Sequence, residues 1–513
     1  MLSAHLPAFI IVLPLMAGPL CVISRHSFIS WLIALLINIV VVFMSVAIFF
    51  QVSDEGVIRY ALGGWAAPTG IEYYIDTLNA TLLVLITIIS LCTLVYSLPA
   101  VDREVAKHRH YLFYTGWMLC LTGLLGIVIT GDAFNVFVFL EISSLSMYML
   151  IALGSERRQA LMASFRYLMM GSIGASFILI GIGFLYAATG TLNMIGLAES
   201  IPNVSDSRTV LVAFSFITLG LLIKAAVFPV YSWLPNAYQY APTAVTAFLA
   251  GTVTKVSLYI FLRFFFQMFG SDYSFGKLLL GEVLLPLSVI GFFVMSLVAV
   301  FQTDIRRILA YSSIAQVGYI MAAMSMATHE GVAAAVVHII NHAFVKAALF
   351  VAVGCILYRL GNAQVTSMGN LIRLMPWTTS AFIVAGLSLI GVPLTAGFVS
   401  KWNLVNAAID IGWWSIVAMV LISSLLAIVY IGKVIEAFYF QSASEEVSNG
   451  NRAIKDPPLM MLIPLWTLII ISVYIGINGS VVVDIANVAA QQLLNGFGVS
   501  LETVNTVVTG SSK

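Results

Sequence analysis

The chain has 513 residues, of which 61% are hydrophobic and 9% charged, and its formal net charge is +1. Soluble globular proteins carry about 25% charged residues, so this composition excludes that class and indicates an all-α polytopic membrane protein. Apolar stretches of about 18–25 residues recur almost end to end, each long enough to cross a hydrocarbon core of ~30 Å as a helix. We predict fourteen spans, at residues 4–23, 30–50, 77–97, 112–130, 132–152, 166–188, 208–238, 243–267, 278–300, 304–327, 331–358, 376–409, 413–438 and 459–477.

The first predicted span has no Lys or Arg before it and is followed by Arg25 and His26. This charge order is the reverse of that in a secretory signal peptide, so we expect the first span to be retained. The four cysteines lie in or at the ends of different spans without metal-type spacing, so we expect neither disulfides nor a metal site. No connection exceeds about 26 residues and no phosphate-loop motif occurs, so we expect no nucleotide-binding domain and no bound cofactor.

The distribution of basic residues between connections predicts the orientation. Counted together with the adjoining span ends, connections after odd-numbered spans hold thirteen Lys and Arg residues, whereas connections after even-numbered spans hold three. Because basic residues mark the cytoplasmic side, we predict that both termini lie on the outer face of the cell membrane. Arg263 and Lys433 lie within about six residues of a span end, so we expect both side chains to reach the membrane interface.

Five charged residues lie deep inside predicted spans. Glu141 is near the middle of the fifth span, in "DAFNVFVFLEISSLSMYML", and the others are Lys224, Lys255, Lys346 and Lys401. A charge at mid-membrane costs at least ~2.5–3.5 kcal/mol, so each is a candidate functional residue. The alternative is purely structural ion pairing, but four lysines to one carboxylate do not match in number. The surplus is better explained if some lysines are neutral part of the time and carry protons.

The seventh and twelfth predicted spans each contain a break. The segment 208–238 is too long for one straight span and includes Pro229 and Pro235, and the segment 376–409 includes "GVPLTAGFVSKWNL". Proline breaks or kinks a helix, and irregular backbone in a membrane is tolerated only where it is buried in protein or lines a wet cavity. Lys224 precedes the first break, whereas Lys401 follows the second.

The two broken segments are five spans apart, so they cross the membrane in opposite directions. Together they predict an inverted repeat of two five-helix bundles, spans four to eight and nine to thirteen. We therefore divide the chain into N-terminal helices (1–111), a first repeat (112–267), a second repeat (278–438) and a C-terminal helix with its tail (459–513).

A polar stripe is predicted on the eleventh span. The sequence "HIINHAFVKAALF" places His338, His342 and Lys346 at steps of four on one helix face, about 12 Å from end to end. Histidine titrates near neutral pH and can pass protons, so the stripe is a candidate proton path. The alternative is polar contact between helices, with Asn341 contributing. Haem ligation is disfavoured because the other histidines lie at termini, at span ends or in loops, so no second helix offers a buried histidine.

Three segments carry a resemblance to a known family. "GLLIKAAVFPVYSWLPNAYQYAPTAVTAFLAGTVTKVSLY" resembles the signature of the antiporter-like subunits of respiratory complex I, membrane-bound hydrogenases and the Mrp sodium/proton antiporters. "GVPLTAGFVSKW" resembles their second broken helix, and "TGDAFNVFVFLEISSLSMYMLIALG" most resembles the Mrp D subunit and its relative in membrane-bound hydrogenases. The resemblance covers about residues 1–480.

The resemblance implies roles for the deep residues. Glu141 and Lys224 match a family charge pair that is coupled to ion movement, and Lys255 matches a relay lysine of the eighth helix. His338 and His342 fall where the family links two half-channels, and Lys401 matches an exit residue of the twelfth helix. With Lys346, these seven residues form the predicted proton path.

The expected function is that of a proton-translocating subunit of a multisubunit Na⁺/H⁺ antiporter, without enzyme activity of its own. The expected partners are other integral membrane subunits, the lipid bilayer, H⁺ and Na⁺; no nucleic-acid partner is expected. Sodium requires clustered oxygen ligands, and the deep positions offer mainly ammonium and imidazole groups, so sodium crossing a partner subunit is one alternative. The main alternative function is a proton-pumping subunit of a redox complex, driven by electron transfer in its partners.

Two further alternatives belong to other classes. A non-transporting scaffold would be suggested by loss of a key residue, but all are present, and a self-contained carrier for an organic solute suits the proton-relay residues poorly. The amphipathic stretch at 480–500, "VVVDIANVAAQQLLNG", is expected to be an interfacial helix, with a partner contact as the alternative.

Overall fold

The computed structural model describes residues 5–155, 157–440 and 455–497. These residues form helices and one short hairpin of strands β1 (Ile58–Ala61) and β2 (Glu72–Ile75). The helices are α1 (Leu6–Ser24), α2 (Ser27–Glu55), α3 (Thr77–Glu104), α4 (His110–Ile129), α5 (Ala133–Ala152), α6 (Arg157–Thr189), α7 (Met194–Ser200), α8 (Arg208–Lys224), α9 (Leu234–Tyr240), α10 (Thr243–Leu262), α11 (Leu280–Val300), α12 (Ile305–Ser325), α13 (His329–Leu360), α14 (Leu371–Leu374), α15 (Pro376–Ile390), α16 (Ala396–Asp410), α17 (Trp414–Phe440), α18 (Leu459–Ile477) and α19 (Gly479–Leu494).

The prediction of fourteen spans is confirmed. Within the described ranges, twelve helices are long and apolar enough to cross a membrane. The other two spans are divided as expected: α8 and α9 form the seventh, and α15 and α16 form the twelfth. Several helices extend beyond their predicted ends, most clearly α6, which begins at Arg157 rather than at residue 166.

Helix α13 lies at the centre of the molecule. It is buried along nearly its whole length and packs against α3, α10, α12, α15, α16 and α18. Its Ala-rich and Val-rich sequence suits this position, because a membrane helix with small side chains can approach several neighbours closely. The predicted stripe of histidines and lysine is therefore carried by the helix with the least access to lipid.

Two equivalent backbone pairings demonstrate the inverted repeat. In each repeat, the residue before the second helix is an aspartate, Asp132 or Asp304, and its carboxylate caps that helix. Asp132 pairs in antiparallel fashion with Asn193, four residues after α6, and Asp304 pairs with Gln364, four residues after α13. The four backbone bonds, of 2.8–2.9 Å, run from the N–H groups of Ala133, Met194, Ile305 and Val365 to the carbonyls of Leu192, Gly131, Ala363 and Thr303, respectively.

The same helix pairs also pack together in both repeats. Helices α4 and α5 contact each other as α11 and α12 do, and α6 packs on α8 as α13 packs on α15. Helices α4 and α10, which begin and end the first repeat, are in contact, and so are α11 and α17. The predicted fold of two inverted five-helix bundles is confirmed, while the residue numbers assigned to the domain boundaries stay a prediction.

Both breaks contain residues with non-helical backbone conformations. After α8 the chain turns through Ala226, with a φ of 55°, and then through Pro229. After α15 it turns through Gly391, with a φ of 94°, where a Cβ would lie 3.0 Å from the Cδ atom of Lys401. Glycine is therefore required at position 391 both for the backbone conformation and for the passage of the lysine side chain.

The C-terminal helix α19 lies against the helix ends of its own chain. Its buried side chains include Ala486, Ala489 and Leu493, and Gln492 accepts a hydrogen bond from the backbone N–H of Thr77 at 3.2 Å. The described part of the predicted 480–500 stretch is thus helical and packed on the protein. Residues 498–500 lie outside the described residues, and the choice between an interfacial helix and a partner contact stays a prediction.

Candidate proton-transfer site

The first group of the site is the ion pair between Glu141 and Lys224. Asp132 caps the start of α5, and burial raises the pKa of this carboxyl, which precedes the membrane-spanning helix. Glu141 follows nine residues later in the middle of α5, and its Oε1 atom lies 3.6 Å from Nζ of Lys224. The ammonium also donates a hydrogen bond of 3.0 Å to the Ser144 hydroxyl. Lys224 thus has a carboxylate and a hydroxyl as polar neighbours.

Lys224 owes its position to the helix break. It is the last residue of α8, and the indole of Trp233, on the far side of the break, donates a hydrogen bond of 3.0 Å to the carbonyl of Ile223. The ring of Trp233 in turn stacks on Tyr167 with 4.3 Å between ring centroids. These contacts hold the interrupted backbone beside the lysine. In an unbroken helix the carbonyl of Ile223 would accept an intrahelical hydrogen bond and would not be free to accept one from Trp233.

Lys255 is the third charged residue of the site. It is fully buried on α10, and its ammonium donates hydrogen bonds to the carbonyl of Ala250 and, at 3.4 Å, to the hydroxyl of Thr254. No carboxylate lies within 4.0 Å of it among the described residues. Its helix α10 ends the first repeat and packs against α13 of the second repeat, so Lys255 lies at the border between the two repeats.

The predicted stripe is present on α13, and all three of its side chains are buried. His338 shares a hydrogen bond of 2.9 Å with the Gln316 side chain, and its ring centroid is 6.1 Å from that of His342. Neither ring nitrogen of His342 has a hydrogen-bond partner within the described part of the chain. Lys346 donates to the carbonyl of Leu309 at 3.0 Å and to the hydroxyl of Ser312. The stripe therefore faces α12 and α10.

Lys401 lies at the second break and completes the site. Its ammonium donates to the carbonyl of Ile390 at 2.8 Å and to the hydroxyl of Ser424 at 3.0 Å, and it lies 5.3 Å from the ring centroid of Tyr319. A cavity of about 10 Å³ joins this lysine to the stripe, with room for about one water molecule. Its lining includes Gln316, His338, Asn341, His342, Ser388 and Lys401.

The structure thus places the seven predicted residues in two groups. Glu141 and Lys224 form the first group, whereas Lys255, His338, His342, Lys346 and Lys401 form the second, around α13. Sequence reasoning missed the hydroxyl and amide groups that contact them, namely Ser144, Thr254, Ser312, Gln316 and Ser424. Two of these contacts could have been predicted from sequence spacing, because Ser144 is one helical turn after Glu141 and Thr254 adjoins Lys255.

One expectation about a buried cation is wrong. Arg263 does not reach the membrane interface: its side chain is only 2% exposed and forms a 2.7 Å ion pair with the equally buried Asp76. The guanidinium also donates to Asn79 and Gln267. The arginine is near a helix end, as predicted, but α3 and α19 cover that end. The guanidinium is therefore stabilised by the ion pair with Asp76 and not by lipid headgroups. Lys433 lies seven residues before the end of α17 and donates to the carbonyls of Val300 and Gln302 at the end of α11.

Comparison with known families gives one match. A family model described as "NADH:quinone oxidoreductase/Mrp antiporter, TM" matches residues 130–427. This range includes all seven residues of the site and both broken spans.

Individual relatives and a solved structure align over nearly the whole chain. The chain is 38% identical to the N subunit of the NADH-quinone oxidoreductase of Desulforudis audaxviator, over 93% of this chain and 96% of that protein. It is 29% identical to the D subunit of the Na⁺/H⁺ antiporter of Alkalihalophilus pseudofirmus, over 94% and 96%. A chain of the membrane-bound sulfane sulfur reductase, an archaeal respiratory membrane complex, superposes with a TM-score of 0.87 at 31% identity, covering 96% of this chain and 98% of that one.

Proposed function

Since the chain belongs to the NADH:quinone oxidoreductase/Mrp antiporter membrane family, we propose that it moves protons through the seven buried residues as one subunit of a larger membrane complex. It is a multi-pass membrane protein of the antiporter-like type. Its relatives are named as subunits of antiporters and of respiratory complexes, and we infer that its own partners are likewise membrane subunits.

The observation that carries this proposal is the contact between Glu141 and Lys224 at the broken helix. A carboxylate 3.6 Å from an ammonium favours the charged lysine, and separation of the two removes that advantage. A lysine that alternates between a paired and an unpaired state can therefore take up a proton and release it. Arginine would not serve, because it stays protonated in proteins.

The proposed route runs from the first group to the second. A proton released by Lys224 passes to Lys255, then along the stripe through Lys346, His342 and His338, and leaves near Lys401. The packing of α10 on α13 and the cavity between the stripe and Lys401 support this order. The route crosses between the repeats along the middle of the membrane, because each group sits within a span rather than at its end.

The exposure of Glu141 supports a subunit role. Its side chain is 26% exposed on the outside of the isolated chain, beside the exposed apolar side chain of Leu145. An ionised carboxylate facing lipid is costly, so we infer that a partner subunit covers this face. The loop charges predict that both termini lie on the outer face of the membrane. We infer that contact with the partner holds the two helix breaks at defined depths in the membrane.

We propose sodium/proton antiport as the first candidate for the energy coupling. A proton pump driven by electron transfer is the second candidate, and the observation in its favour is the 38% identity to a quinone oxidoreductase subunit, against 29% to an antiporter subunit. The residues that move protons are the same in both candidates, so the site itself does not distinguish them.

The coupling can be tested with vesicles that contain the complex assembled from this gene and its neighbouring genes. Antiport predicts that an imposed sodium gradient drives proton movement without any electron donor. Proton movement that depends on an electron donor and does not respond to sodium would replace antiport by the second candidate. A complex that moves no protons under either condition would contradict the proposed function.

A further inference from the structure

A buried polar cluster closes one end of α10, the helix that carries Lys255. Lys255, Tyr259 and Arg263 follow one another at steps of four, so they lie on one face of the helix over about 12 Å. The helix continues as a single π-helical turn, Arg263–Met268, and the C-terminal helix α19 packs against this turn. The loop charges predict that this end of α10 is at the outer face of the membrane.

The cluster is built around the ion pair between Asp76 and Arg263. Its four side chains are at most 3% exposed, and we define them as the Arg263 cluster: Asp76, Asn79, Arg263 and Gln267. Asp76 Oδ2 accepts a hydrogen bond from the guanidinium at 2.7 Å. Its Oδ1 atom accepts the backbone N–H groups of Leu78 and Asn79 at 3.0 and 3.1 Å. Asn79 joins the cluster to Tyr259, because its amide donates a hydrogen bond of 2.9 Å to the Tyr259 hydroxyl.

A cavity reaches the Arg263 cluster from the predicted outer face. Its volume is about 510 Å³, and its lining includes Gln267, Asp272, Lys277 and Asn495. Lys277 is 46% exposed, so the cavity is open to water. Gln267 lines the cavity and also accepts a hydrogen bond from Arg263. The ion pair is therefore one side chain away from outer water, on the helix face that bears Lys255.

A route through the Arg263 cluster would give a proton on Lys255 a short way out. Arg263 lies about two helical turns from Lys255 on the same helix, whereas the proposed route crosses to α13 and continues to Lys401. A proton that left at this end of α10 would bypass both the stripe and Lys401. The proposed route therefore requires that this end be closed to protons.

The chemistry of the cluster suits a barrier to protons. Arginine stays protonated in proteins, so Arg263 cannot release one proton and then take up another. The carboxylate of Asp76 accepts from three donors, and its protonation would leave a buried guanidinium without a counter-charge, which is strongly unfavourable. The side-chain amides of Asn79 and Gln267 are neither acids nor bases near neutral pH.

We propose that the Arg263 cluster is a seal that stops protons on Lys255 from leaving toward the outer face and so directs them to the stripe on α13. Arg263 acts as a fixed charge and not as a relay group, which distinguishes it from the four buried lysines. This inference rests on the proposed function, because only a lysine that carries protons needs such a seal.

The test variant is Arg263→Lys in the assembled complex. It keeps a cation beside Asp76, but in water a lysine side chain loses its proton at least about a hundred times more readily than arginine. We expect a passive proton leak at least about tenfold above that of the wild type, in vesicles given a pH gradient but neither a sodium gradient nor an electron donor. Adding Lys255→Ala should remove the leak, because the path then lacks its next group. Asp76→Asn with Arg263→Met leaves the cluster without an ionisable group, so this double variant should stay tight.

Lys277→Ala is the matched control. It breaks an exposed ion pair with Asp206 at the same cavity, so the leak should stay at the wild-type level. A tight Arg263→Lys variant with wild-type coupled flux would overturn the seal alone. Equal leaks in Arg263→Lys and the double variant would also overturn it, because packing and not the fixed charge would then close the helix end. Wild-type coupled flux in Lys255→Ala would instead overturn the proposed function.

A second measurement is independent of flux and covers the case in which Arg263→Lys assembles poorly. Gln267→Cys should react with a membrane-impermeant thiol reagent added on the side that carries α19, because position 267 lines the cavity. Thr254→Cys, next to Lys255, should stay unreactive from that side. The four native cysteines are buried and should react little. Reaction of Thr254→Cys, or no reaction of Gln267→Cys, would show that the barrier does not lie at Arg263.

Discussion

Asp132 and Asp304 occupy equivalent positions in the two inverted repeats. Each caps the second helix of its repeat and pairs with a residue four positions beyond the third helix. Nine residues after the aspartate, Glu141 of the first repeat corresponds to Ser313 of the second. Twenty-six residues before the residue that pairs with the aspartate, Tyr167 of the first repeat corresponds to His338 of the second. The two repeats therefore share one architecture but differ in chemistry, with a carboxylate only in the first and a histidine only in the second at these positions.

This difference has a consequence for the proposed route. The first repeat holds an acid–lysine pair that can change the proton affinity of Lys224. The second holds a histidine stripe that forms no ion pair with a carboxylate among the described residues. We interpret the first repeat as the part that responds to ion movement. The second repeat then conducts the proton that the first repeat releases.

Replacement of the stripe histidines should interrupt the path between the repeats. His342→Phe removes two ring nitrogens that have no partner among the described residues, so we expect normal assembly but a proton flux at least about a hundredfold lower, the range for loss of one proton-transfer group. His338→Phe should behave alike. His108→Gln, at an exposed position, is the control and should leave flux unchanged. Flux near the wild-type level in both Phe variants would place the path elsewhere.

The Asp76–Arg263 pair should matter for stability through its charges. Asp76→Asn keeps a side chain able to cap α3, but leaves the buried guanidinium without a counter-charge, so we expect a loss of about 3–5 kcal/mol in unfolding free energy. The measurement is thermal unfolding in detergent. Replacing both partners, as Asp76→Asn with Arg263→Met, should recover much of the loss. Lys277→Ala breaks an exposed ion pair and should change little. A double variant less stable than the single variant would contradict this account.

Gly397 should tolerate no side chain. A Cβ at this position would lie 1.6 Å from the carbonyl oxygen of Ser388, so Gly397→Ala must push α16 away from α15. We expect a stability loss of at least about 1–3 kcal/mol together with reduced flux through the cavity beside Lys401. Gly432→Ala, where a Cβ has nothing within 4 Å, is the control and should be neutral or stabilising. Equal melting temperatures in the two variants would show that the second break is not held by this contact.

Much of the fold was predictable because membrane spans follow from length and hydrophobicity, and because two similar breaks at corresponding positions indicate a repeat. The deep charges were predictable for the same reason, since Glu141 and Lys224 stand out in an apolar sequence. Their partners were not, because contacts such as Lys224 with Ser144 join residues 80 positions apart.

Arg263 shows where sequence reasoning failed. Its closeness to a helix end predicted an interfacial side chain, but its partner Asp76 is 187 residues away in the chain, and nothing near Arg263 indicates that contact. In the sequence, Asp76 falls in the connection before the third predicted span. Only the packing of α3 against the end of α10 shows that both are buried.

The most direct test of the account is proton flux in vesicles containing the assembled complex, with Glu141→Gln and Lys224→Met compared with the wild type. Both changes remove one charge of the central pair while keeping the side chain's approximate size. The account predicts that each variant assembles in the membrane at the wild-type level and that its flux falls to that of vesicles lacking the complex. Wild-type flux in either variant, at equal amounts of assembled complex, would contradict the central role of the pair.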